Sequence, residues 1–198
     1  MQMNTSGKPR GALFGGKPIK EPRDSQRSRV YKADHALDDL LPLPTLRDME
    51  QFVKRVWTMK RVQEAFPVAT KPGRWKNDPP RVDDGRGRRR AGGSASGITM
   101  PVWSRRAGIV LHELAHTVIA RTHGSRVAAH GWEFCDAYLK LVLYGLGREA
   151  HDKLKAAFKE HKVRYRPTRK RAPIAQERRV QLAAQLERAR AAKTKVLD

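Results

Sequence analysis

The strongest constraint in this chain lies between residues 104 and 122, where Ile109, Val110, Leu111, Leu114, Ala115, Val118 and Ile119 put apolar side chains on nearly every face of a helix. A helix of that kind must be buried. Inside it stand His112, Glu113 and His116, and each polar group taken out of water needs a partner. The run His112-Glu113-Leu114-Ala115-His116 reads H-E-x-x-H. Residues four apart share a helix face, so both imidazoles can reach one metal ion, with zinc as the expected cofactor. Glu113 points to the side of that face, where its carboxylate can take a proton from metal-activated water without ligating. The plainer alternative, core histidines beside a salt-bridged glutamate, leaves three buried polar groups to be satisfied separately.

A catalytic zinc site needs a third protein donor and an open position. His123 lies two turns beyond His116, about 10 Å of rise, too far for bonds of about 2 Å. The extended metzincin pattern also fails, because Ile119 stands where Gly is required and Thr122 where His is required. His130 is better placed, since the chain can turn through Gly124-Ser125-Arg126 and return before the next helix. Glu133 is its rival, as a ligand or as the partner that orients a liganding ring. Cys135 reads as a small buried hydrophobe.

Around this segment the periodicity predicts a helix over 46–59, started by Thr45 and Asp48 as a capping pair, and a helix from Ser104 as N-cap to 122. Further helices are expected over 132–146, ended by Gly147, and over 148–161. The basic stretch over 174–192 has helix-forming composition but only a thin apolar line at Val180, Leu182, Leu186 and Ala189. Pro, Gly and short apolar pieces between Pro67 and Pro101 predict short antiparallel strands at 81–83, 88–91 and 97–100, joined by tight turns. The expected class is α+β, with a small antiparallel sheet packed on a helical layer around the metal helix. The domain would span 23–167, between a flexible basic arm at 1–22 and a basic helical tail at 168–198.

A formal net charge of +22 exceeds what solubility needs and points to a polyanion, nucleic acid first. Arg86, Arg88, Arg89 and Arg90 crowd one turn, while Lys8, Arg10, Lys17, Lys20, Arg169, Lys170, Arg171, Arg178 and Arg179 load the tails. A solvated surface is the alternative. The single cysteine excludes an internal disulfide, and no apolar run approaches a membrane span, so a cytoplasmic setting is expected. Two functions from different classes follow: a zinc hydrolase acting on polypeptide, and a non-catalytic nucleic-acid-binding protein whose zinc only staples the fold.

The two zinc segments, His112 to His116 and then His130-Gly131-Trp132-Glu133-Phe134, resemble the signature of SprT-like metalloproteases, whose third ligand is the His of a downstream H-G-x-x-F. More of the chain is similar to a metallohydrolase family of actinobacteria and their phages, through RDSQRSRVY at 23–31, DGRGRRR at 84–90, ITMP at 98–101 with Trp103, and RYRP at 164–167. The resemblance implies a zincin-like fold, His112, His116 and His130 as zinc ligands, and Glu113 as the base that activates water against an amide. Relatives that act on DNA-bound proteins make nucleic acid a partner by analogy. Arg164, Tyr165 and Arg166 are open to two readings, as an oxyanion-stabilising group or as a basic surface turn.

Overall fold

The structure, a computed structural model, describes residues 22–168 and 176–194. Two compact units divide the chain, residues 1–167 and residues 168–198. In order, the first unit runs α1 (Arg27–Asp34), α2 (Leu46–Trp57), α3 (Lys60–Ala65), β1 (Arg81–Asp84), β2 (Gly92–Ser94), β3 (Gly97–Met100), α4 (Ala107–His123), α5 (Trp132–Leu146) and α6 (Arg148–Glu160). The second carries α7 (Gln176–Thr194), on which Val180, Leu182 and Leu186 are exposed. The basic arm over 1–22, apart from Pro22, and Arg169, Lys170 and Arg171 lie outside the described residues. Among the described residues no helix is long and apolar enough to cross a membrane.

Apolar periodicity explains the helices that frame α4. Val110, Leu111, Leu114 and Ala115 are fully buried, with α5 packed on one side of the helix and β2 and β3 on another. Each such Leu removed from water contributes about 1.5–3 kcal/mol. Helix α2 begins with the expected capping box, the Thr45 hydroxyl accepting from Asp48 N–H at 3.1 Å and the Asp48 carboxylate accepting from Thr45 N–H at 3.1 Å. Gly147, at φ 92°, lets α5 turn directly into α6.

Three expectations need correction. The sheet is mixed rather than antiparallel: its strand order is β1-β3-β2, with β1 parallel to β3 and β2 antiparallel to it. The loop after β1 reverses the chain but leaves a gap one strand wide, and the tight β2–β3 hairpin then inserts β3 into it. The second strand lies at Gly92–Ser94, not at 88–91, because the arginines stay solvated while Gly93 presses against α4. Ser104 does not cap α4, which starts after Arg106 without a side-chain cap. The Ser104 hydroxyl instead donates to Pro101 O at 2.8 Å, and the Leu41 carbonyl accepts from Ala107 N–H at 3.0 Å.

Two close fits set α4 in place. A Cβ added to Gly93 would overlap the Glu113 carbonyl oxygen and come within 2.7 Å of His116 Cβ, so only glycine lets this strand lie on the H-E-x-x-H turn. At the other end Arg121 is buried, its guanidinium donating to Ala95 O at 2.8 Å and Ala69 O at 3.0 Å and lying between the Trp57 and Trp75 rings, 5.0 and 5.1 Å from their centroids. That cation ties the loop after α3 and the β2–β3 turn to the end of the helix.

Candidate metal centre

His112 and His116 leave α4 one turn apart, and His130 enters from the loop just before α5. Their donor nitrogens all lie within 4.8 Å of one another, a group that could hold a metal ion. Small rotations of the rings close that spacing to what bonds of about 2.1 Å to one ion require. His112 and His130 are each 3% exposed, and the Nε2 atoms of both are buried with no hydrogen-bond partner. Unpaired buried nitrogens aimed into one small space are costly unless an ion fills it, so the donor set fits a metal. Three imidazoles suit zinc, copper, iron or nickel.

Phe134 supplies the floor. Its ring centroid is 4.9 Å from that of His112, 4.4 Å from His116 and 4.9 Å from His130, and it is completely buried. The Phe of the H-G-x-x-F segment therefore stands one helical turn after His130 to keep water from beneath the rings.

Sequence reasoning missed the two carboxylates behind these rings. Asp24 Oδ2 lies 2.8 Å from His130 Nδ1 in a hydrogen bond, and Asp34 Oδ2 lies 3.0 Å from His112 Nδ1 in an ion-pair contact whose direction departs from a hydrogen bond. Such partners hold the proton on Nδ1 and turn Nε2 toward the site. Asp24 precedes α1 and Asp34 ends it, so this short helix brackets the His112 and His130 rings from behind. Gln26 braces the same corner by donating to His130 O at 2.7 Å and Arg164 O at 2.9 Å while accepting from Arg164 N–H at 3.0 Å. Asp24 and Gln26 fall in the RDSQRSRVY segment that carried the family resemblance, whereas Asp34 lies beyond it and had no sequence signal.

Burial is the largest influence on the His112 ring and disfavours its charge, but the Asp34 carboxylate, helped by Glu113, outweighs it and raises the ring above the usual imidazole range. His116 is pushed down to about 2 by burial and by the charges of His112, His130 and Arg27. His130 is also lowered, burial outweighing the pull of Asp24. An ion would need a free lone pair on each ring, so protons compete with it most strongly at His112. Glu113, 6% exposed, has its carboxyl raised by burial, against the pull of His112 and with a push from Asp34.

Glu113 and His112 also form part of the wall of a cleft of about 640 Å³. The wall continues through Tyr31 and Asp34 of α1, Trp103 of the turn before α4, and Arg89 and Arg90. Of the three rings His112 alone lines this cleft, next to Glu113, and the space is large enough for a substrate segment.

Other residues singled out in the sequence stand apart. Glu133 lines a separate groove with His123, Trp132 and Lys140, so it is not among the converging donors, and His123 is as remote as helical rise required. Cys135 is buried, its thiol raised by burial and in contact with Gln26 Nε2 at 3.5 Å. Arg164 presents its backbone to Gln26, Tyr165 packs on Phe158 with centroids 6.1 Å apart, and the Arg166 guanidinium lies 5.6 Å from the Tyr165 centroid. None of these three lines the cleft. Set against protein families, curated proteins and solved structures, the chain matches none of them.

Proposed function

We propose that the chain is a zinc-dependent peptidase in which His112, His116 and His130 hold the metal and Glu113 acts as general base. The observation that carries this reading is the placing of Glu113: three imidazoles come together, and a buried carboxylate with raised proton affinity shares the wall of a cleft with one of them, His112. A purely structural zinc is enclosed by four protein ligands and needs no base. Here the donor set stops at three among the described residues.

Bound zinc would supply Lewis acidity toward a carbonyl oxygen and bring the pKa of water to about 7. The protein supplies the rest. Glu113 accepts a proton from the attacking water as the water oxygen bonds to the amide carbon, and it returns that proton to the nitrogen as the C–N bond breaks. Its raised proton affinity suits both halves of that transfer. Asp24 and Asp34 keep the ligand rings turned inward, and Phe134 excludes water from below.

The charge of +22 supports a second element of the reading, that basic segments keep the enzyme near nucleic acid through phosphate contacts. The peptidase itself is tested by stripping the purified chain with a chelator and restoring zinc. Hydrolysis of casein or an unstructured peptide is expected to disappear and return with the metal. A zinc-loaded, folded chain that cuts no unstructured polypeptide would overturn it.

A further inference from the structure

The cleft beside Glu113 is charged in one sense. Of its acidic residues, Glu113 is buried, Asp34 is engaged by His112 at 3.0 Å, and Asp38 by Arg106 at 3.1 Å and His35 at 2.7 Å. Its cations are not matched in the same way. Arg27 donates to the Tyr31 hydroxyl at 3.4 Å and lies over that ring at 5.6 Å, and among the described residues neither it nor Arg89 nor Arg90 makes an ion pair. All three border the same cavity. Two exposed aromatic side chains border it as well, Tyr31 at 43% and Trp103 at 53% exposed.

Guanidinium groups offer forked donors that match a carboxylate, and an aromatic face beside them accepts an apolar or planar neighbour. We propose that this cleft binds polypeptide carrying Asp or Glu side chains next to the bond to be cut, with Arg27, Arg89 and Arg90 gripping the carboxylates and Trp103 and Tyr31 covering an adjacent side chain. This rests on the peptidase reading and names its substrate class. The shape favours peptide over nucleic acid: the cations surround one cavity of about 640 Å³, whereas a phosphodiester chain needs a basic groove that follows its backbone. His112 and Glu113 line the same cavity, which places this wall beside the metal ligands rather than on a remote surface.

The test is binding, read without hydrolysis. Fluorescent Glu-containing peptides and their Gln counterparts are titrated by anisotropy against the full zinc-loaded chain bearing Glu113→Gln. The acidic peptide is expected to bind about tenfold more tightly. Adding Arg89→Ser with Arg90→Ser should remove most of that preference, while Arg178→Ser with Arg188→Ser, the same loss of charge on α7, should leave it. Both arginine pairs are solvent-exposed, so circular dichroism is expected to show unchanged folding. Absence of the preference, or its equal loss in both double variants, would overturn the proposal. So would an oligonucleotide of equal charge whose binding weakens as much as the peptide's, since the wall would then be a phosphate site. Casein hydrolysis by the parent chain is a separate readout, so failure of peptidase activity is distinguishable from failure of this preference.

Discussion

Replacing Glu113 by Gln is expected to leave metal content and fold intact and to cut peptide hydrolysis by about 10²–10⁴-fold. The amide keeps the size and hydrogen-bonding outline of the carboxylate but cannot take a proton from water. Glu113 lies outside the three-imidazole donor group, so the ion should not notice the change. Burial raises the carboxyl, which means the wild-type group is a stronger base than a solvent-exposed glutamate and has more to lose. Casein or peptide turnover, measured beside metal content, separates this role from ligation. Equal turnover in mutant and parent would remove Glu113 from the chemistry.

The second large effect falls on residues that never touch the ion. Asp24→Asn and Asp34→Asn each remove a negative charge from behind a ligand ring with almost no change in shape. Each is expected to weaken zinc binding by about 10-fold or more, and the pair by about 100-fold or more. Competition with a chromophoric chelator reads this directly, without recourse to activity. The carboxylates sit 2.8 Å from His130 and 3.0 Å from His112, close enough to fix which nitrogen carries the proton. A double variant that holds zinc as tightly as the parent would show that the rings orient themselves.

These two predictions mark what the sequence makes legible and what it hides. The H-E-x-x-H turn is readable because helix periodicity turns a four-residue spacing into a shared face, and α5 and α6 are readable because Phe134, Tyr138, Leu141, Leu154 and Phe158 recur at that period and are buried. The position of His130 follows from the length of chain available after Gly124. Asp24 gives no such signal, since it meets His130 across 106 residues of chain. Helix α1 is equally silent: it buries only Val30 and Ala33 and has no side-chain cap at its start. Its flanking polar contacts reach segments far along the chain, Asp24 and Gln26 to His130 and Gln26 to Arg164.

The sheet failed for a related reason. Strand β2 is Gly92-Gly93-Ser94, with no apolar alternation to announce it, and it is a strand because β3 pairs with it and α4 admits nothing larger than glycine at residue 93. Parallel pairing of β1 with β3 is a property of the loop path, which residue periodicity does not encode. In the sequence the arginines of that loop read as a nucleic-acid contact, with a solvated surface as the alternative. Folded, Arg89 and Arg90 border the cleft beside Glu113, and that placement turns a charge run into a substrate question.

Calorimetric titration of the metal-free chain with zinc, set beside His116→Ala and checked by elemental analysis, reaches the centre of the matter. The parent should take up one ion per chain tightly, and the variant, with two imidazoles in place of three, should lose that stoichiometric binding while keeping its helical content. A parent that binds no ion stoichiometrically, or a variant that binds as tightly as the parent, would contradict the convergence of His112, His116 and His130 on a metal.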